Sequence, residues 1–475
     1  MKALRVPVPS WVRAYGIKVM PFADAASPGL PLGRLLRLSL FQWAIGMVTA
    51  LLVGTLNRVM IVELEVPAWW VALSVGLPML FAPLRGLIGY RSDTHPSALG
   101  LKRIPYLWLG SLMLFGGLAI LPFALLVLGD NQPTQVWLGR LGAGLAFMLV
   151  GVGIQVTQTA GMALASDLAE ESRRPRVVAL LYTMLLLGMI VSSGVYGWLL
   201  QDFSPLRLIQ VIQGTALAVL VLNLVALWKQ EARQSKRGER EAGGFGRHWR
   251  ELMGQAQMRR FLWATGLGSC AFGMQDIVLE PYGAQVLGLD VGATSGLTAV
   301  GAIGSLLAFA ISAKVMGQRV SACALAGLGA TLGLLAFALV IFSAPLQSVA
   351  MFKCGVGLVG FGAGLFSVGM LVNAMTYGDA RLSGLALGAW GAVQATSAGV
   401  SMALGGILRD SVDALAQAGH LGEALQSVVT GYSFVYHLEM YLLLAVLIAL
   451  GPMARRGLSR DPNSSTRFGL AELPG

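Results

Sequence analysis

Apolar residues run along this chain in long blocks that are separated by short polar segments. The blocks have the length of about 20 residues that an α-helix needs to cross a hydrocarbon core about 30 Å thick. Breaking them at charges and at Pro and Gly clusters predicts twelve membrane spans. The first six lie near residues 36–60, 67–90, 104–128, 135–165, 177–200 and 206–228. The second six lie near residues 258–283, 291–314, 320–343, 346–376, 383–408 and 431–453.

A single long polar segment separates the two sets of spans, and it reads as a hydrophilic linker between two membrane halves. The pattern predicts an all-α membrane protein of two six-helix halves. The predicted parts are an N-terminal segment (1–35), a first half (36–228), a linker (229–257), a second half (258–453) and a tail (454–475).

The two halves resemble each other in the order of their polar residues. A lone basic residue precedes an acid at nearly the same distance in both: Arg140 precedes Asp167, and Lys353 precedes Asp379. Basic residues and a small-residue helix then follow each acid. This repetition indicates that spans 4 and 5 correspond to spans 10 and 11, as in pseudo-symmetric membrane folds.

Charge and composition agree with a membrane protein and set its orientation. Hydrophobic residues make up 56% of the 475 positions and charged residues 12%, against about 25% charged in a soluble domain. Most of the 34 Lys and Arg residues lie in the termini, the linker and alternate loops. Because cytoplasmic loops retain positive charge, we expect both termini and the linker to be cytoplasmic. The net charge of +11 therefore requires no nucleic-acid partner.

The loop after the second span carries a charged motif that resembles a signature of the major facilitator superfamily. A 6+6 arrangement with a charged central linker also resembles that superfamily, whose fold we therefore expect. In the superfamily such loops form ion pairs that hold the cytoplasmic side closed, although a solvated positive face would have the same composition. The residues of this gate-like motif are Gly86, Arg91, Asp93, Lys102, Arg103, Asp167, Asp379 and Arg381.

A second group of charges lies inside the apolar spans. Ionisable residues in membrane helices are costly and usually face an interior or a cavity. We therefore predict a charged cluster in the outer half of a central cavity, in which two acids offset three cations. An alternative is that the three cations extend to the outer interface. The predicted cluster consists of Arg58, Arg140, Asp276, Glu280 and Lys353.

Several longer strings resemble a narrower family, the PucC family of phototrophic bacteria, including its branch that assembles the core light-harvesting 1 antenna. They are GTLNRVMIVEL (54–64), FAPLRGLIGYRSDTH (81–95), KRIPY (102–106) and GMQDIVLEPYG (273–283). The resemblance implies an assembly factor in the bacterial inner, or intracytoplasmic, membrane that binds or delivers bacteriochlorophyll. The implied partners are membrane lipids, light-harvesting polypeptides and pigment-synthesis or protein-insertion machinery.

Three side chains are candidate ligands for the magnesium of a bacteriochlorophyll. His437 lies among aromatic residues near the start of span 12, where an interfacial aromatic belt is the alternative explanation. Gln155 and Gln275 are weaker candidates, since glutamines in spans more often form hydrogen bonds between helices. We expect no other cofactor, no metal site and no enzymatic activity. A secondary transporter of a small molecule by alternating access is the alternative function.

Overall fold

The computed structural model of the protein describes residues 22, 25–27, 29–82, 101–128, 133–170, 173–231, 245–316, 320–375 and 380–457. The helices of the first half are α1 (Leu32–Glu63), α2 (Ala68–Leu80), α3 (Ile104–Leu128), α4 (Pro133–Leu168), α5 (Arg174–Leu199) and α6 (Pro205–Leu227). A linker helix spans Phe245–Gly254. The helices of the second half are α7a (Ala256–Ala271), α7b (Gln275–Gln285), α8 (Val291–Met316), α9 (Ala322–Ser343), α10 (Val349–Met375), α11 (Ala380–Gln417) and α12 (Val429–Gly457).

Within these ranges, ten helices are long and apolar enough to cross a membrane. The other two predicted spans correspond to α2, of which 13 residues are described, and to α7, which consists of two shorter pieces. The protein is thus a multi-pass membrane protein. We call the side that holds the start of α1, the linker helix and the end of α12 the terminal side, and the opposite side the far side.

Glycines bring neighbouring helices of each half into backbone contact. In the first half α3 meets α4, where a methyl group at Gly153 would lie 3.0 Å from the carbonyl oxygen of Gly110. In the second half α9 meets α10, where a methyl group at Gly329 would lie 2.5 Å from the carbonyl oxygen of Gly362. Small residues are typical of such close approaches in membranes, where apolar burial alone does not drive helices together. The two pairs occupy equivalent places in the two halves.

The two halves meet along two helix pairs, α2 with α11 and α5 with α8. Gly76 and Gly399 face each other in the first pair, and Gly197 and Gly292 face each other in the second. Because Gly197 lies at the end of α5 and Gly292 at the start of α8, the second contact is on the far side. Ser193 on α5 adds a hydrogen bond of 2.6 Å to the carbonyl oxygen of Ser295 on α8. The halves are therefore packed tightly together on the far side.

Two helices differ from the sequence-based boundaries. Span 7 was expected to be continuous over 258–283, but α7a ends at Ala271 and α7b begins at Gln275. Span 11 was expected to end near residue 408, but α11 continues to Gln417. In this last part of α11, Asp410 accepts a hydrogen bond of 2.8 Å from the backbone amide of Trp69 at the start of α2.

We predict that Gly399→Ala destabilises the protein by about 1–3 kcal/mol, because the new methyl group would lie 2.7 Å from the carbonyl oxygen of Gly76 and overpack the α2–α11 contact. Gly391→Ala, on the same helix, is the matched control, since nothing lies within 4 Å of a methyl group there. The control should keep its Tm or gain slightly from the better helix propensity of alanine. Thermal unfolding in detergent measures both, and equal Tm values would contradict the assigned contact.

Candidate functional site

Span 7 departs from a regular helix at two points, at the break between α7a and α7b and at Pro281 within α7b. A side chain at Gly273 would collide with the Ser401 hydroxyl on α11, at 2.4 Å from the new methyl group, so the chain passes close to its neighbour here. Pro281 lies inside α7b and has no backbone N–H, so it cannot donate to the carbonyl of residue 277, four positions earlier. The second half therefore contains a free carbonyl group in the middle of a membrane span.

Asn57 of the first half covers this carbonyl. Its side-chain amide donates a hydrogen bond of 2.9 Å to the Ile277 carbonyl oxygen and a longer one of 3.3 Å to that of Asp276. Asn57 lies in α1 between two π-helical segments, Ala50–Leu56 and Val59–Glu63. Such wide turns often occur at functional sites. An unpaired carbonyl in hydrocarbon costs several kcal/mol, so this contact joins α1 firmly to α7b.

The start of α7b is satisfied by an acid from α12. The first amides of a helix have no partner within the helix, and here the backbone N–H of Gln275 donates to Oε1 of Glu439 at 2.6 Å. The side-chain amide of Gln275 donates to Oδ1 of Asp276 and, at 3.4 Å, to the Phe272 carbonyl oxygen. The sequence-based cluster did not include Glu439, although an acid within an apolar span is a signal that points to it.

Glu280 lies one turn after Asp276, and its side chain is 3% exposed. Its Oε1 accepts a hydrogen bond of 3.0 Å from the Thr298 hydroxyl on α8. Its Oε2 has no partner among the described residues, and the same holds for Oε2 of the fully buried Glu439. Three carboxyl groups from α7b and α12 are thus gathered at one helix break.

These residues border a cavity of about 380 Å³ between the two halves. Asp276 and Glu280 are its charged lining residues, Gln275 and Gln394 add side-chain amides, and much of the rest is apolar. Residues from α1, α2 and α5 line it on one side, and residues from α7, α8, α10 and α11 line it on the other. The cavity is therefore central, as expected for a bundle of two facing halves.

A larger space of about 620 Å³ lies away from this break, between α5 and α6 on the far side. Trp198 and Leu199 border it, together with the charged pair Asp202 and Arg207. These two charges bind each other at 3.1 Å. Because its charges are paired and it does not lie between the halves, we place the candidate site at the α7 break.

The structure does not bring the five residues of the predicted charged cluster together. Arg58 binds Glu63, five positions along the same helix, at 2.5 Å, and approaches the Leu289 carbonyl oxygen at 3.4 Å. Lys353 is exposed on α10 and Arg140 is half-buried on α4. Within the described ranges, neither residue makes an ion pair or a hydrogen bond. The expectation that these cations offset Asp276 and Glu280 is therefore corrected, whereas a functional role for the two acids stays a prediction.

Arg409 is a far-side cation that the sequence-based cluster did not include. Its guanidinium binds Asp410 at 2.7 Å and Oε1 of Gln285 at 2.8 Å, and it lies 4.6 Å from the centre of the Tyr432 ring. The Tyr432 hydroxyl donates to the same oxygen of Gln285 at 2.7 Å. These contacts join α11 and α12 to the end of α7b. They also give the Arg409 guanidinium a negative partner next to it in the chain.

The gate-like motif is only partly visible. Gly86, Arg91, Asp93 and Asp379 lie outside the described residues, as does the side chain of Arg381.

On the terminal side Nε of Arg103 binds Oδ2 of Asp167 at 3.1 Å, joining α3 to α4. Glu231 accepts hydrogen bonds from the backbone amides of Lys102, Arg103 and Ile104. These contacts all lie within the first half and the start of the linker, and a role in closing the terminal side stays a prediction.

The three candidate pigment ligands lie in different environments. Gln155 is buried in α4, and Gln275 borders the central cavity. His437 is exposed on α12, and its Nδ1 lies 2.7 Å from the Ser433 carbonyl oxygen. A carbonyl oxygen only accepts, so Nδ1 carries the proton and the lone pair of Nε2 stays free. The exposed face of α12 continues along the helix as Phe434, His437, Tyr441, Leu444 and Ile448.

Comparison with known proteins identifies the family. Residues 55–458 match the family described as PUCC protein. The chain belongs to the PucC family. This PucC-family chain is 49% identical over 462 residues to a Rhodobacter capsulatus protein described as "Uncharacterized protein in puhA-bchM intergenic region", covering 96% of this chain and 97% of the relative. It is 51% identical over 409 residues to Protein PucC of Rhodovulum sulfidophilum, covering 84% and 90%.

A solved structure shows the fold of this PucC-family protein. A bacterial homologue of the human lysosomal transporter Spinster, in an inward-facing and unoccupied conformation, aligns with a TM-score of 0.67 and 14% identity, covering 90% of this chain and 98% of that one. The predicted major facilitator fold is confirmed.

We predict that Asn57→Leu lowers stability by about 1–3 kcal/mol, because it leaves the Ile277 carbonyl buried without a donor. Asn223→Leu is the matched control. Asn223 is also a buried asparagine of the first half, but its amide has no partner among the described residues, so its replacement should be neutral or stabilising.

A double variant tests the reason for this effect. Pro281→Ala supplies the N–H that α7b lacks, so Asn57→Leu should cost less in the Pro281→Ala background than in the native one. Thermal unfolding of the native protein, the two single variants and the double variant gives the coupling energy between Asn57 and Pro281. Equal costs in both backgrounds would contradict the compensation between Asn57 and Pro281.

Proposed function

We propose that this protein is an assembly factor for bacterial light-harvesting complexes, which binds bacteriochlorophyll and delivers it to the light-harvesting 1 polypeptides. The observation that carries the proposal is membership of the PucC family over both halves of the chain. Membrane lipids surround the bundle. Its further partners under this proposal are single-span antenna polypeptides and pigment-synthesis or protein-insertion machinery.

The surroundings of His437 fit a bacteriochlorophyll. Metal-ligating histidines usually donate their second N–H to a carbonyl or carboxylate, which fixes the ring and leaves the other nitrogen for the metal. His437 has this arrangement, with the Ser433 carbonyl as acceptor. Phe434 and Tyr441 are 45% and 66% exposed on the same face and offer apolar contact on either side. A bound pigment would supply a magnesium ion, and the imidazole of His437 would hold it.

The central cavity fits the pigment less well. Its volume of about 380 Å³ lies near the lower end of the range of about 300–1,000 Å³ that holds drug-sized ligands. A tetrapyrrole with a long hydrocarbon tail is larger than such ligands. We therefore assign the pigment to the membrane-facing side of α12 and not to Gln275 or Gln155. An antenna helix within the membrane has direct access to that side.

We further propose that the protein lies in the inner, or intracytoplasmic, membrane with its terminal side in the cytoplasm. The support is the excess of Lys and Arg in the termini, linker and alternate loops, because such segments are retained in the cytoplasm. We also propose that it is not an enzyme. Magnesium-assisted prenyl transfer needs clustered aspartates, and in the pair formed by Asp410 and Asp413 on α11, Asp410 already binds Arg409 and the Trp69 amide.

Secondary transport of a small molecule is the second candidate function. It is favoured by the central cavity between two halves and by a fold that solved transporters share. Under this alternative the acids of α7b would contact the solute or its coupling ion.

We predict that the protein purified from phototrophically grown cells carries bacteriochlorophyll, and that His437→Leu lowers the pigment-to-protein ratio at least about tenfold, the effect expected for losing a metal ligand or its support. The control is His420→Leu, because His420 is also exposed and lies in the connection between α11 and α12. Absorption spectra of equal amounts of the three proteins measure the ratio.

The same preparations separate the two functions. Pigment and antenna polypeptides that co-purify with the wild type and with His420→Leu support the assembly function. A pigment-free wild-type protein that takes up a solute saturably in vesicles would instead establish the transporter. Equal pigment in all three proteins would reject His437 as the ligand while leaving the assembly function in place.

A further inference from the structure

Three carboxyl groups at the α7 break, two of them buried, have no function in the proposed handling of pigment. Asp276 and Glu280 come from α7b, and Glu439 comes from the core-facing side of α12. Asp276 is close enough to both glutamates for their charges to interact. Glu280 and Glu439 are 3% and 0% exposed. Three negative charges placed this close together in a membrane interior would repel each other strongly.

The hydrogen bonds of the two glutamates follow one pattern. Oε1 of Glu280 accepts a hydrogen bond from the Thr298 hydroxyl, and Oε1 of Glu439 accepts one from the backbone amide of Gln275. In each, Oε2 has no donor among the described residues. A carboxylate needs donors at both oxygens, whereas a protonated carboxyl carries its own hydrogen on one of them. The pattern is the one that a protonated carboxyl produces.

Acceptors for such protons are present at the same place. Oε1 of Gln275, which borders the cavity, is buried and has no donor among the described residues. The Tyr436 hydroxyl is fully buried, also without a partner in the described part of the chain, and lies within electrostatic range of Glu280 and Glu439. The break thus holds further buried polar oxygens besides the two carboxyl oxygens that have no donor among the described residues.

Positive charges on the surrounding helices do not neutralise the acids. On α1, Arg58 binds Glu63, and on α11, Arg409 binds Asp410. On α10, Lys353 is exposed and makes no ion pair with any described residue.

The other titratable groups near the break are neutral ones. They are Tyr282 on α7b, Tyr432 and Tyr436 on α12, and Cys270 on α7a, whose thiol donates to the Ser397 carbonyl at 3.5 Å. The α8 side contributes hydroxyl groups such as Thr298, and the α5 side of the cavity contributes Leu186 and Met189.

We propose that Asp276, Glu280 and Glu439 form a proton-binding site, and that the protein holds protons there when its two halves are closed on the far side. The ligand is the proton, which adds to a carboxylate oxygen to give a neutral carboxyl and leaves as the site becomes hydrated. Protonation removes the cost of burying unpaired charge. The observations that support this site do not involve pigment binding.

A metal ion or an organic cation explains the site less well. Within the described ranges, no group of three or more His, Cys, Asp and Glu side chains has the arrangement of a metal site. An organic cation in the cavity would contact Asp276 and the edge of Glu280, but Glu439 is fully buried and does not line the cavity. Only the proton fits the free oxygens of Glu280 and Glu439 as they stand.

The position of the site connects proton binding to the movement of the two halves. Asp276 and Ile277 receive their hydrogen bonds from Asn57 of the first half, and the cavity is lined by both halves. Opening the cavity toward the terminal side would admit water, which stabilises the ionised carboxylates. Proton release is therefore coupled to opening, and proton uptake to closure.

Infrared spectroscopy of the purified full-length protein detects the protons directly. We expect a carbonyl band of buried protonated carboxyl groups at neutral pH, which decreases in Glu280→Gln and in Glu439→Gln. Glu63→Gln is the matched control, because Glu63 is a membrane acid paired with Arg58, and it should leave the band unchanged. Absence of the band in the wild type, or its full persistence in both glutamine variants, would overturn the proposal.

The pH dependence of thermal unfolding provides a second readout. Unfolded carboxyl groups are ionised above about pH 5, so unfolding releases the held protons and Tm should fall as the pH rises. Each proton changes the folding equilibrium constant about tenfold per pH unit. Glu280→Gln and Glu439→Gln should flatten this dependence and raise Tm at alkaline pH, since an amide needs no proton.

The control variant Glu63→Gln is expected to change Tm in the opposite direction. Glu63→Gln should lower Tm, because Arg58 loses its partner, and should leave the slope against pH unchanged. If the two test variants instead lowered Tm at alkaline pH and kept the wild-type slope, Glu280 and Glu439 would be ionised and bound to a cation, and the proton site would be rejected.

Discussion

The Ile277 carbonyl is the group on which the centre of this structure depends. Its own helix cannot supply a donor, because residue 281 is proline, and hydrocarbon offers no water in its place. The donor comes from Asn57 in the other half of the protein. A free carbonyl in the second half is thus satisfied by the first half, close to the break, its acids and the central cavity between the two halves. Pro281, which frees this carbonyl, thereby requires the halves to meet there.

Charge is distributed around this centre by local pairing. Arg58 forms an ion pair with Glu63 on its own helix, and Arg409 forms one with Asp410, the next residue in the chain. Pairing between near neighbours costs little conformational entropy compared with bringing distant helices together, and it satisfies each cation at the far side. The acids at the break are left without positive partners. Glu439 consequently uses the free amide at the start of α7b, where the helix dipole also favours an acceptor.

The sequence predicts the spans and the two halves well, because both depend on patterns that need no knowledge of neighbours. It predicts the polar contacts poorly. The apolar block at 258–283 contains Pro281, but a proline inside a span does not say which distant side chain covers the freed carbonyl. Asn57 lies 220 positions before Ile277, and nothing in the spacing joins them. Lys353 was grouped with the acids because it occupies a span, whereas its exposure depends on how α10 is turned in the bundle.

Helix α12 connects the two sites that we propose. His437 and Glu439 are two residues apart, which turns their side chains by about 200° around a helix of 3.6 residues per turn. One helix therefore presents an imidazole to the membrane and a carboxyl to the α7 break. The backbone between them is continuously helical, so the two groups move together. A change that releases Glu439 from the Gln275 amide would shift α12 against α7, and it would shift His437 relative to anything bound on the outer face. Binding on that face and protonation at the break would then influence each other through one rigid element.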